Sequence, residues 1–85
     1  MKHVGLDVHR QACHATVMDE TGRIERQERF KNSRREYERF SRDIPEARVA
    51  MEASCCWQPV YELLGRAGHS VKLAHPKRTY LSNIS

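Results

Sequence analysis

Hydrophobic and polar residues alternate from the start of the chain. Val4, Leu6 and Val8 fall on one side of an extended segment, and Gly5, Asp7 and His9 on the other, the period-two pattern of a β-strand. The stretch 4–10 therefore predicts a strand suited to a sheet centre, with a single carboxylate, Asp7, set into it. An acid in that place is costly unless a cation or hydrogen bonds compensate it. Residues 12–18 (Ala-Cys-His-Ala-Thr-Val-Met) predict a second strand, and Asp19, Glu20, Thr21 and Gly22 supply turn chemistry between it and the next. Residues 23–30 set Ile24, Arg26, Glu28 and Phe30 against Arg23, Glu25, Gln27 and Arg29. A strand carrying so many charges suits an exposed edge, where charge discourages pairing with another chain. Three strands with short connections predict an antiparallel meander.

The period then changes. Ser33-Arg34-Arg35-Glu36 has the form of a capping box, and Tyr37, Phe40 and Ile44 follow at helical spacing, with Arg35, Arg39 and Arg42 on another face. Pro45 ends that helix. Residues 47–52 predict a fourth strand ending at Glu52. Ser54 is a candidate cap for a second helix whose apolar side is Trp57, Val60, Leu63, Leu64 and Ala67. Pro59 is tolerated in its first turn, and Gly68 suits its end. Residues 70–74 predict a fifth strand, and His75, Pro76, Lys77 and Arg78 a basic loop. Residues 79–85 show no period and are expected to fray.

The predicted order is β-β-β-α-β-α-β. Strands joined through helices should run parallel with right-handed crossovers, so the fourth strand lies beside the first and the sheet order becomes 3-2-1-4-5. The fold class is α/β, a mixed five-stranded ribonuclease H-like sheet forming one domain over residues 1–78, with 79–85 as a tail. In that sheet Asp7 and Glu52 emerge from adjacent central strands.

Composition bounds what such a domain does. The 85 residues carry 15 Lys and Arg against 11 Asp and Glu, a net charge of +4, which suits a polyanionic partner. No stretch approaches the ~20 apolar residues of a membrane span, and the first residues do not read as a signal peptide. The expectation is a soluble, cytoplasmic chain with no membrane partner. The three cysteines, Cys13, Cys55 and Cys56, lack framework spacing and are read as reduced thiols. The five histidines show neither C-x-x-C nor H-x-x-x-H company, so zinc is set aside.

Two readings of the carboxylates follow from the residues. Asp7 and Glu52 could together hold Mg²⁺ or Mn²⁺, which accept oxygen ligands and clamp the oxygens of a phosphodiester during hydrolysis or transfer. Alternatively, Asp7 accepts bonds from nearby backbone and Glu52 is a solvated strand end. The same duality applies to Arg35, Arg39, Arg42, Lys77 and Arg78, which either contact nucleic-acid phosphates or form a solvated charged face. His9 and His14 lie near Asp7 and are candidates to tune its surroundings. Trp57 reads as a packing anchor, and Cys55 and Cys56 as packed thiols without a base beside them.

Several of these runs occur together in one family. Val4-Gly5-Leu6-Asp7-Val8-His9, residues 13–22, Met51-Glu52-Ala53-Ser54 with Trp57, and the run from Ala67 through His75-Pro76 closely resemble the N-terminal domain of DEDD-type insertion-sequence transposases. This is the IS110 family, related to Piv-type DNA invertases. The resemblance covers nearly the whole chain. It implies a RuvC-like domain whose four acidic residues bind divalent metal, the first Asp corresponding to Asp7 and the Glu to Glu52. The family's remaining two acids lie beyond the His-Pro loop in a D-x-x-D-like pair, whereas here no Asp or Glu follows Glu62. The family's serine-bearing C-terminal domain has no counterpart either.

The resemblance thus implies DNA transposition and recombination for the parent protein, with an RNA guide from the element itself. It implies an N-terminal fragment with two of four metal ligands, inactive alone and incomplete at its C-terminus. If both helices cover one sheet face, apolar surface should remain exposed and drive self-association. Two rivals stand beside this reading. One is an actin-like or sugar-kinase-type nucleotide-binding fragment, opposed by the absence of glycine from the turn His9-Arg10-Gln11-Ala12. The other is a non-catalytic nucleic-acid-binding module.

Overall fold

A computed structural model of the chain describes residues 1–53 and 57–74. Its elements run β1 (Lys2–Val8), β2 (Ala12–Met18), β3 (Ile24–Lys31), α1 (Arg34–Asp43), β4 (Ala47–Ala53), α2 (Gln58–Arg66) and β5 (Ser70–Ala74). The five strands form one sheet in the order β3-β2-β1-β4-β5, antiparallel across β3-β2-β1 and parallel across β1-β4-β5. This is the mixed α/β sheet expected from the sequence, and it is consistent with a RuvC-like fold.

Alternation divides the sheet into two unlike faces. Val4, Leu6, Val8, Cys13, Ala15, Val17, Val49, Met51 and Ala53 are buried beneath the helices. α1 adds Tyr37 and Phe40, and α2 adds Val60 and Leu64, to the same core. Phe30 anchors α1 to the edge strand, its ring 5.2 Å from that of Tyr37 and 5.3 Å from that of Phe40. Both helices lie on this one face. The opposite face bears Gly5, Asp7, His14, Thr16, Gln27, Arg29, Arg48, Ala50, Glu52 and Lys72, which are small or polar. Met18 and Ile24 are paired on that face at the edge of the sheet, with Ile24 exposed, but no broad apolar surface spans it; the other exposed large hydrophobics among the described residues are Met1 and Tyr61.

The ends of the elements depart from sequence expectation in informative ways. β1 stops at Val8, and His9 and Arg10 belong to the turn, closed by His9 N–H donating to the Ala12 carbonyl at 2.9 Å. A bulge opposite Val17 and Met18 pairs Met18 with Ile24 and Val17 with Arg26. The extra residue moves Ile24 off the Phe30 side, and it is 54% exposed. Ser33 caps α1 as anticipated, its Oγ accepting from Glu36 N–H at 3.4 Å. The reciprocal half of the capping box is absent, because Ser33 N–H donates to the Lys31 carbonyl and Glu36 turns to Arg39.

α2 begins later than a Ser54 cap would place it. Trp57 occupies the cap position without a side-chain cap bond, Pro59 sits in the first turn, and Ser54 lies outside the described residues. Ala67 is exposed at the helix end rather than on its packed side. Gly68, at φ +98°, then reverses the chain. Gly68 N–H donates to the Gly65 carbonyl and His69 N–H to that of Leu64, both at 3.1 Å, the paired bonds of a Schellman motif. Residues 79–85, expected to fray, also lie outside the described residues.

Candidate functional site

Asp7 and Glu52 are directly paired in the parallel β1–β4 register, on strands ~4.8 Å apart. Each belongs to the alternate set that points away from the helices, so both carboxylates project from the same open face and both are exposed. Their common orientation follows from packing. Leu6, Val8, Met51 and Ala53 must be buried, and the residue between two buried neighbours on a strand has only the other face.

The Asp7 side chain is 55% exposed and meets His9 Nε2 at 3.1 Å from Oδ1. Among the described residues no backbone N–H donates to the Asp7 carboxylate, so the local-backbone reading finds no support. Glu52 forms no salt bridge among them. The described residues hold no group of three or more His, Cys, Asp or Glu placed to share a metal ion. What is present is a pair of adjacent oxygen donors, the donor class that hard cations such as Mg²⁺ and Mn²⁺ take. The pair fits part of such a site.

The rung that carries these acids continues across the sheet. Asp7 pairs with His14 on β2, and His14 with Arg29 on β3. Reading from β4 outward, the open face runs Glu52, Asp7, His14, Arg29, from acidic to basic. Beside the basic end lies a shallow pocket of about 450 Å³ lined by His9, Arg10, Gln11, Ala12, His14 and Arg29. The His9 and His14 rings meet edge to face at 6.4 Å. With arginine and imidazole in this turn and no glycine, the nucleotide-cradle rival is not favoured.

The arginines anticipated as phosphate contacts divide into different fates. α1 lies on the covered face, so Arg35, Arg39 and Arg42 are a sheet's thickness from Asp7 and Glu52. Arg35 and Arg42 are exposed there. Arg39 is engaged in packing: it bonds Glu28 and Glu36, reaches Asp43 at 3.3 Å, and lies over the Phe30 ring at 5.6 Å. Arg26 joins the same network through Glu28 and Asp43 and covers Phe40. These contacts hold the Glu28 carboxyl below its usual range despite the opposing effect of its burial. Lys77 and Arg78, with Cys55 and Cys56, lie outside the described residues. Cys13 is fully buried, and that burial pushes its thiol up to about 11. At neutral pH it stays protonated.

One buried polar side chain escaped the sequence reading altogether. His69 is buried, with Nδ1 accepting from Ala47 N–H at 3.1 Å and Nε2 at 3.0 Å from Ser41 Oγ. An accepting Nδ1 assigns the proton to Nε2, which donates to Ser41. The ring thereby joins the start of β4, the last turn of α1 and the α2–β5 turn. Its only sequence sign is its place directly after Gly68, where a Schellman turn sends the next residue inward.

No helix among the described residues is long and apolar enough to cross a membrane. No curated protein matches the chain. A family model described as a transposase, that of the DEDD proteins of IS110 elements, matches residues 4–81, a span that includes Asp7, Glu52, His69 and all of the sheet but the first two residues of β1. The chain belongs to this IS110-type DEDD transposase family.

Proposed function

We propose that the chain is the N-terminal part of the catalytic domain of a DNA transposase, and that Asp7 and Glu52 are two of that domain's divalent-metal ligands. The observation that carries this reading is the direct pairing of the two acids on adjacent central strands, both facing solvent. Mg²⁺ or Mn²⁺ bound there would stabilise the attacking and leaving oxygens of a phosphodiester. The chain's own part is to hold two like charges side by side, so that a cation relieves their repulsion. His9 adds a contact that orients Asp7 Oδ1. Two carboxylates make an incomplete ligand set, and the 85 residues alone do not turn over DNA.

DNA is the partner. Arg35, Arg42, Lys77 and Arg78 are secondary phosphate contacts, and target choice rests on an RNA guide, as in the family the chain resembles. The compartment is the cytoplasm. Self-association has no large apolar patch on the open face to draw on, and sedimentation equilibrium measures it directly.

The metal reading is tested by titrating Mn²⁺ while following paramagnetic broadening of backbone amide signals. Broadening should centre on Asp7 and Glu52 and be lost in both Asp7→Asn and Glu52→Gln. Broadening that persists unchanged in both variants, or is absent from the unaltered chain at millimolar Mn²⁺, would overturn it.

A further inference from the structure

We propose that the pocket formed by His9, Arg10, His14 and Arg29 is a phosphate clamp that holds the phosphodiester backbone of a DNA strand beside the Asp7–Glu52 pair. This inference rests on the reading above only in naming what lies next to the clamp. Its ground is a juxtaposition the sequence does not display: the β1–β2 turn and the outer strand β3 bring two guanidinium and two imidazole groups to one concave site. Among the described residues no carboxylate lines that site, and Asp7 meets it only through His9.

Pairing and setting together separate these arginines from the rest: Arg35 and Arg42 are also without salt bridges among the described residues, but the concavity that Arg42 lines contains Glu38 and Glu62. Arg26 and Arg39 are neutralised by Glu28, Glu36 and Asp43. Arg10 and Arg29 form no salt bridge among the described residues. A guanidinium left unpaired in a concavity offers its fork of N–H donors to a planar or tetrahedral oxyanion, and phosphate matches that geometry. The His14 imidazole adds an N–H donor to the lining, while His9 Nε2 is taken up by Asp7.

The pocket is also held in shape from beneath. Tyr37 is buried and donates its hydroxyl proton to Asn32 Oδ1 at 2.8 Å. Asn32 Nδ2 donates to the Arg10 carbonyl and Asn32 N–H to the Gln11 carbonyl, each at 3.0 Å. Together with the His9–Ala12 backbone bond, these contacts fix the turn that carries Arg10. A rim fixed before the ligand arrives loses less conformational freedom on binding. The transverse rung supplies the direction. A strand gripped at Arg29 and His14 runs on toward Asp7, two strands or ~10 Å from Arg29, and Glu52, three strands or ~14 Å away.

The test is binding of a fluorescein-labelled single-stranded oligodeoxynucleotide to the 85-residue chain, in EDTA, across a range of salt concentrations. The unaltered chain should bind at low salt. The double variant Arg10→Gln, Arg29→Gln should lose roughly tenfold in affinity, and its slope of log affinity against log salt should flatten by about 1.4, the value for two single-strand phosphate contacts. The matched variant Arg35→Gln, Arg42→Gln on the helical face should lose less than about twofold. Equal losses in both variants, no loss in the pocket variant, or no binding by the unaltered chain would overturn the proposal.

Amide shift perturbation of the unaltered chain by the same oligonucleotide keeps the test open should the pocket variant fail to fold. Shifts at Arg10, His14 and Arg29 are expected, and shifts confined to α1 refute the clamp. Absence of Mn²⁺ broadening from the unaltered chain with oligonucleotide binding at the clamp intact removes the metal reading alone, and the converse result removes the clamp alone.

Discussion

His69 shows how one side chain ties the domain together. Burial is the main reason its pKa lies below the usual histidine value, outweighing the nearby Glu46 carboxylate and the Ser41 contact, both of which favour the charged form. Because the folded pKa is depressed, the unfolded chain takes up this proton first as pH falls. The stabilisation is complete above the ordinary histidine pKa of ~6.5 and is lost as pH drops through the lower folded value. The urea midpoint should therefore fall between about pH 7.5 and about pH 5, and His69→Gln should remove that component of the dependence. At neutral pH, His69→Ala should cost about 2 kcal/mol, since it strands the Ala47 N–H in the interior. None of this was visible in the sequence, because the partners Ser41 and Ala47 are remote from His69 along the chain. The Asp7–Glu52 pairing was visible, because burial of Leu6, Val8, Met51 and Ala53 leaves the residue between each pair one direction to point.

Local chemistry decides where the elements begin and end, and that is where sequence reading was least complete. The bulge that turns Ile24 outward arises from the pairing with β2, so a strictly alternating strand could not reveal it. The arginines of α1 looked equivalent along their helix, yet only Arg39 lies within reach of Glu28 on β3. Arg39→Ala should cost about 1 kcal/mol through the loss of a charge network and a cation–π contact. Arg35→Ala should stay within about 0.5 kcal/mol, and chemical denaturation at low and high salt compares the two. At the end of α2, two glycines predict opposite signs. Gly65 lies in the helix with open space where a Cβ would sit, so Gly65→Ala should stabilise by roughly 0.5–1 kcal/mol. Gly68, at φ +98°, has comparable space but an unfavourable backbone for an L residue. Gly68→Ala should destabilise by about 1 kcal/mol or more and disturb His69 as well.

At the scale of the whole molecule, a five-stranded sheet with both helices on one face makes a thin two-layer domain. A chain of this size is stabilised by only ~4–13 kcal/mol. Met51, fully buried on the central strand β4, is a direct probe of that margin: Met51→Ala should cost about 2–5 kcal/mol. Loss of a cooperative thermal transition, or a sharply lowered midpoint, is the expected calorimetric result. Ala50→Ser, one residue away on the open face, should leave the midpoint nearly unchanged. The charged β3 edge, with Glu25, Arg29 and Lys31, resists sheet-to-sheet joining.

The strict division of the sheet into a packed side and a wet side also limits how the gene can change length. Adding or deleting one codon within β1 or β4 inverts every side chain beyond it, sending an acid into the interior and an aliphatic residue into water. Only edits of an even number of codons preserve the phase. Ancestry in this region should therefore be recorded as substitutions and paired insertions, with single-codon length changes confined to the turns.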